Sequence, residues 1–424
     1  MKQLTIVGAG WAGLAAAVAA TQAGWHVHLF EAANIAGGRA RSLQQSFAGK
    51  PLDNGQHVLI GAYRDTLALM RTVGLNPDAL LQRIPLDLRF ADGQGINLPN
   101  WPLPLNILAG LGRAQGWTLK DKASLIQAAW GWQRARFECE PTLTVAQLCE
   151  ASNLSARVMT QLVEPLCLSA LNTPMNEASA TVFLRVLHDA LLGGSGSSDL
   201  LVPRVDLGAL FPDACLQWLS VHGADVHLGT RISATQVEAL QHAASTDSAV
   251  ILACPPWEAA RLTADIAPKW AYACAELSHT AIATVYLQCK DAGFKGLARP
   301  IMALHSDAHA PAQFVFDKGV LSEQHGLLAA VVSACTTERY DVTEQVLRQV
   351  CEQLELVNVE IVQTVIEKRA TLACSPMLNR PEPFVAKGLW ACGDYICGPY
   401  PSTLEGAVRS GQQVVTQISQ VAHR

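Results

Sequence analysis

Between Leu4 and Trp25 the chain carries no charged residue, and Gly8, Gly10 and Gly13 interrupt the apolar run at close spacing. A membrane span or a secretory leader has no use for glycines at those positions, whereas a strand that turns sharply into a helix requires them. Leu4–Val7 therefore reads as a buried strand, Gly13–Ala23 as an Ala-rich helix ended by Gly24, and His26–Phe30 as a second strand. In such a unit the turn Gly8-Ala9-Gly10-Trp11-Ala12-Gly13 lets a pyrophosphate approach bare backbone at the positive end of a helix. Glu31 closes the second strand, where a carboxylate can accept hydrogen bonds from both hydroxyls of a ribose and repels a 2′-phosphate. The spacing predicts a dinucleotide site; the plainer alternative is a glycine-rich turn with no ligand.

Composition limits what such a site can serve. At 424 residues the chain exceeds one ordinary core, so two closely packed and interleaved domains are expected. Half of the residues are hydrophobic, only 16% are charged and the mean hydropathy is +0.19, a surplus that an apolar pocket or a membrane-facing patch would absorb. A formal net charge of -5 gives no reason to expect nucleic acid. The 12 cysteines show neither a CxxC nor a Cys/His ligand spacing, so no metal site and no disulfide framework is predicted, and reduced thiols in the cytoplasm are the expectation.

Three further motifs extend the dinucleotide reading. Gly37-Gly38-Arg39-Ala40-Arg41-Ser42 adds a guanidinium able to pair with pyrophosphate oxygens, an extension that a plain nicotinamide enzyme does not need, although Arg39 and Arg41 as solvated surface charges are the bland alternative. In Asp53-Asn54-Gly55-Gln56-His57, Gly55 allows backbone to approach a planar ring, and Gln56 or His57 can reach its polar edge. His57 is the one candidate catalytic residue, as the acid or as a group that positions it, against the structural role that a lone histidine more often has. Near the other end, Gly393-Asp394 offers a carboxylate for ribityl hydroxyls, and Thr403-Leu404-Glu405-Gly406 opens a helix whose free N–H groups can face a flavin. The cofactor these motifs converge on is FAD. No second GxGxxG exists; Gly193–Ser198 follows a helical pattern and reads as a linker. From Gly93 to Gly112 there is no charge, and Pro99, Pro102 and Pro104 forbid a regular transmembrane helix, so this stretch is expected to rest on a membrane or to line the pocket.

Taken together, the N-terminal fingerprint, GGRARS, DNGQH and GDY…TLEGAVRSG resemble the flavin-dependent amine oxidase and phytoene desaturase superfamily. Pro51–Tyr63, Glu164–Pro174 and Leu201–Pro212 are similar to its squalene-associated branch, the hydroxysqualene dehydroxylase family of hopanoid biosynthesis, and the similarity covers nearly the whole chain. The resemblance implies reductive removal of a hydroxyl from a C30 polyprenyl lipid with reduced FAD, an external electron donor or reductase, and peripheral membrane contact. It also implies that Ile232 packs on the adenine side and that Thr403 and Leu404 present backbone amides to the flavin.

The expected fold class is α/β, a Rossmann-like FAD-binding domain with an interleaved α+β substrate domain. Residues 1–92, 201–265 and 386–424 are assigned to the first, 93–200 to a helical substrate or membrane-facing segment, and 266–385 to the substrate-domain sheet. Three other readings stay open at this point: a carotenoid-type desaturase moving hydride from substrate to flavin, an amine oxidase, and a lipid carrier that keeps FAD as a structural prop.

Overall fold

The structure, a computed structural model, describes residues 2–99, 101 and 105–422; Pro102 and Pro104 lie outside the described residues. The glycine-punctuated run forms β1 (Gln3–Val7), α1 (Trp11–Gln22) and β2 (His26–Phe30). Most of α1 is buried, because alanines on every side let it lie flat on the sheet while the C-terminal helix Leu404–Ala422 packs over it. The turn before α1 is tight: a Cβ on Gly13 would stand 1.9 Å from Gly8 O. Gly13 is thus a packing glycine.

Around β1 a six-stranded sheet assembles in the order Asp225–His227, β2, β1, Ser248–Leu252, Leu389–Ala391, Phe384–Ala386. Five strands run parallel and the last antiparallel. Parallel neighbours need crossover connections, and those between distant strands here are long enough to hold other structure. A second, antiparallel sheet occupies one of them, in the order Ile301–Ala303, Phe314–Asp317, Leu327–Val332, His279–Cys289, Val359–Leu372. The architecture is the expected mixture of a Rossmann-like parallel sheet and an interleaved antiparallel one.

Helices between residues 105 and 192 enclose a separate apolar core that includes Leu111, Trp132, Val163 and Phe183. One of them is irregular. Pro165 supplies no N–H to the preceding turn, and Met159–Val163 adopts a π-helical turn that puts Leu162 and Val163 on the cavity described below. Among the described residues no helix is long and apolar enough to cross a membrane.

Candidate active site

A single cavity of about 1140 Å³ runs from the C-terminal edge of the parallel sheet into the helical region. Ligand pockets commonly occupy about 300–1,000 Å³, so this one has room for more than one small molecule. At the sheet end its wall contains Gly8, Gly10, Ala12, Glu31, Gly38, Arg39, Gly55, Gln56, His57, Ile232, Gly393, Asp394, Thr403 and Leu404. Of the residues that sequence reasoning placed at the cofactor, Gly13 does not line this wall; a Cβ on it would meet Gly8 O and the Ala253 side chain, so its place in the fingerprint is the close packing of helix on turn.

The sheet end has the chemistry of a dinucleotide site. Gly10 caps α1 without any side-chain hydrogen bond, leaving first-turn N–H groups for an anion. The Glu31 carboxylate accepts from Ala9 N and Ala33 N, both at 2.8 Å, which fixes it at the end of β2 with lone pairs to spare. The Tyr395 hydroxyl, buried on the same wall, has no hydrogen-bond partner among the described residues. An unpaired buried hydroxyl costs about 1–3 kcal/mol, an incentive to receive a polar ligand. These residues fit an adenine dinucleotide.

Arg39 differs from expectation. Its Nη2 pairs with Asp394 Oδ1 at 2.5 Å and its Nη1 donates to Ala370 O at 2.7 Å. Two groups expected to hold separate parts of a cofactor therefore hold each other and tie the turn at Gly38 to that at Gly393. Asn54 Nδ2 reinforces the junction by donating to Arg39 O and Glu367 Oε2. On the other flank, Thr403 Oγ1 accepts from Gly406 N at the start of the C-terminal helix. Glu405 reaches sideways to accept from Asp65 N, Thr66 N and Thr66 Oγ1, so its buried carboxylate caps the helix Arg64–Thr72.

His57 is half-buried on the cavity wall, and its Nδ1 is 3.0 Å from Gly55 O. That contact makes Nδ1 the protonated nitrogen and leaves Nε2 as an acceptor. Burial, with Arg39 adding to it and the Gly55 contact opposing, holds its pKa below the ordinary imidazole value. The ring is neutral at neutral pH. It can orient a hydroxyl, but it does not start as a charged acid.

A second protic group on the wall had no sequence signal. Tyr400 donates its hydroxyl to Asp189 Oδ2 at 2.5 Å, and Arg185 and His188 also bind that carboxylate. Burial acts to raise the Asp189 pKa, but hydrogen bonds from Tyr400, His188 and Arg185 prevail and hold it low. Burial and the neighbouring carboxylate keep Tyr400 above the usual phenol value, so it carries its proton throughout the working pH range. Tyr400 and Asp189 are 211 residues apart, and neither sits in a recognisable motif.

Away from the sheet the wall becomes aliphatic and aromatic, with Leu98, Leu111, Trp132, Leu166, Phe183 and Leu187 typical of it. A His26, His28 and Asp225 group on the sheet has metal-ligand proximity, but none of the three lines this cavity.

The family model described as flavin containing amine oxidoreductase matches residues 11–419. A protein named hydroxysqualene dehydroxylase from Rhodopseudomonas palustris is 27% identical over 446 residues, covering 97% of both chains. A zeta-carotene desaturase from Synechocystis sp. is 36% identical over 107 residues, 22% of each chain. The solved structure of an oxidoreductase from Methanosarcina mazei shares the fold, with a TM-score of 0.69, 16% identity and coverage of 98% of this chain and 100% of the other.

Proposed function

Because the chain belongs to the family of flavin-containing amine oxidoreductases and is an FAD-dependent oxidoreductase, we propose that it removes the hydroxyl of hydroxysqualene reductively to give squalene and water. The observation that carries this reading is the cavity itself: a dinucleotide end formed by Glu31, Arg39 and Asp394 opens without a break into a chamber walled by hydrocarbon side chains. A C30 polyprenyl alcohol matches that gradient. The likeness to relatives named hydroxysqualene dehydroxylase along nearly their whole length supports the same substrate.

We assign the adenine end to the α1 turn, Glu31 and Ile232, and the ring end to Gly55, Gln56, Thr403 and Leu404. When bound and reduced, FAD supplies a hydride. The chain's own residues have three tasks. Nε2 of His57 accepts the hydrogen of the substrate hydroxyl and orients the C–O bond. Tyr400, protonated, turns its one O–H from Asp189 to the departing oxygen and gives up that proton as the C–O bond breaks, and the half-exposed His188 beside Asp189 connects the pair to solvent for reprotonation of the phenolate. The apolar wall keeps bulk water from recapturing the cation-like carbon. Electrons reach the site from an external donor or reductase.

Incubating the protein anaerobically with reduced FAD and hydroxysqualene is the direct test, with squalene as the expected product. Phytoene dehydrogenation with oxidised FAD and no squalene would replace this reading with the desaturase one. His57→Ala and Tyr400→Phe should each lower kcat about 10²-fold or more while FAD stays bound; wild-type turnover in either variant removes that residue from the mechanism.

A further inference from the structure

The two helices that wall the far end of the cavity have a second face. Leu105–Arg113 turns Ile107 and Leu111 to the cavity, and Leu119–Arg134 turns Leu125 and Trp132 to it. Lys122 Nζ donates to Gly112 O, which joins the second helix to the end of the first. Their opposite faces should be polar in a protein that meets only water. Instead, Leu105 and Leu108 are exposed on the first, and Leu119, Ile126 and Trp130 form a stripe on the second, with Leu119 86% and Trp130 61% exposed. Single exposed apolar residues are commonplace, but stripes on two adjoining helices make a patch.

Charge adds an independent observation. Residues 101–136 contain five cations, Arg113, Lys120, Lys122, Arg134 and Arg136, and one acid, Asp121, in a chain whose net charge is -5. The acid is buried in the cap of its helix, where Thr118 binds it, so the exposed charge on the two helices has one sign, and the exposed acids Glu138 and Glu140 follow only beyond the second helix. Two of the cations lie over the tryptophans: Arg134 is 5.1 Å from the ring centre of Trp130 and Arg113 is 5.3 Å from that of Trp101. Indole and guanidinium paired at an apolar rim suit the level of lipid headgroups.

We propose that this outer face docks on an anionic phospholipid bilayer, with Leu119, Ile126 and Trp130 in the headgroup–acyl boundary and the cations on the phosphates. The docked helices then separate the bilayer from the cavity by one helix thickness. A polyprenyl substrate passes between them without crossing water. The proposal deepens the functional reading above and rests on it only for the identity of that substrate. It also goes beyond the charge-free stretch 93–112, because the larger stripe and most of the cations belong to the following helix.

Flotation of the FAD-loaded full-length chain with vesicles tests it. Vesicles containing phosphatidylglycerol should carry the protein up, and pure phosphatidylcholine vesicles should carry at least about tenfold less, given on the order of 1 kcal/mol per basic residue near an anionic surface. Leu119→Ser/Ile126→Ser/Trp130→Ser should abolish flotation while retaining bound flavin. Lys120→Glu/Arg134→Glu, at exposed positions that leave the apolar stripe whole, should weaken it about tenfold and remove its salt dependence. Absence of the wild type from the vesicle fraction, or equal flotation of the variants, overturns the proposal. Turnover of detergent-dispersed hydroxysqualene by the wild type and the triple variant should be equal; if neither reacts while flotation behaves as stated, the substrate reading fails and the docking face stands.

Discussion

Lys318 is a buried ammonium, 3% exposed, whose Nζ donates to Gln56 Oε1 at 3.5 Å beneath the loop that forms the cavity wall. Burial alone would push its proton off, and the carboxylates of Asp53 and Asp206 work to keep it on. Asp53 shows the reciprocal effect. Burial pushes its pKa up to about 6, while Lys318 and the N–H of Leu207 pull it down. A carboxyl whose folded pKa lies above its unfolded one binds more protons when folded, so its contribution to stability is present at low pH and falls as pH rises from about 4 through 6. Lys318→Met removes the cation and moves that upper limit higher. The variant should therefore lose about 3 kcal/mol at pH 8 and distinctly less at pH 5.5, read from denaturant midpoints of FAD-loaded protein. An equal loss at both pH values would mean that Lys318 serves by packing and not by charge. His57 titrates in the opposite sense: its lowered pKa costs stability only as pH falls below the ordinary imidazole value.

At the scale of elements, the contact between α1 and the C-terminal helix determines where Thr403 and Leu404 stand. Gly411 is a point of close approach, since a Cβ there would lie 2.3 Å from Ala12 O, on backbone that has nowhere to go. Gly411→Leu should destabilise the protein by about 3 kcal/mol or more and weaken FAD retention, because the helix start must shift with the helix; unchanged melting and an unchanged flavin Kd would show that the interface is softer than its geometry. Such local, glycine-marked contacts were legible in the sequence. β2 falls on the run read as a strand, and Leu404–Ala422 begins one residue after the expected start. Val359–Leu372 was not set apart, for a physical reason. It is an edge strand in which Glu360, Glu367, Lys368 and Arg369 interrupt the apolar residues on both faces, so the alternation that betrays a half-buried strand is blurred. The Tyr400–Asp189 pair was illegible because tertiary packing alone brings it together, and the Arg39–Asp394 pair because a motif names a residue without naming its partner. Conversely, GxGxxG foretold that Gly13 must lack a side chain, and the place a Cβ would take, 1.9 Å from Gly8 O, gives the packing cause.

Across the whole molecule, the cavity draws its sheet-end wall from segments near residues 10, 31, 39, 56, 232, 394 and 404, which belong to widely separated parts of the chain. Side-chain bonds already tie several of those parts: Arg39 pairs with Asp394, the Glu31 carboxylate accepts from Ala9 N, Asn54 donates to Arg39 O and Glu367, and Gln56 N donating to Thr284 Oγ1 joins the loop to the antiparallel sheet. A ligand that touches all of these segments adds its binding energy to every contact between them, so FAD should govern the cooperativity of the fold as well as its chemistry. Two-state unfolding is not the default for a chain of 424 residues built on two sheets. With free FAD at about a hundred times its Kd, stability should rise by about 2.7 kcal/mol over the apoprotein. Flavin release, tryptophan fluorescence and loss of helicity should then coincide in one transition, whereas the apoprotein should unfold over a broader range. Release of flavin in an early step that leaves helicity and tryptophan signals native would mean that the segments hold one another without the cofactor, and that FAD occupies the junction without bracing it.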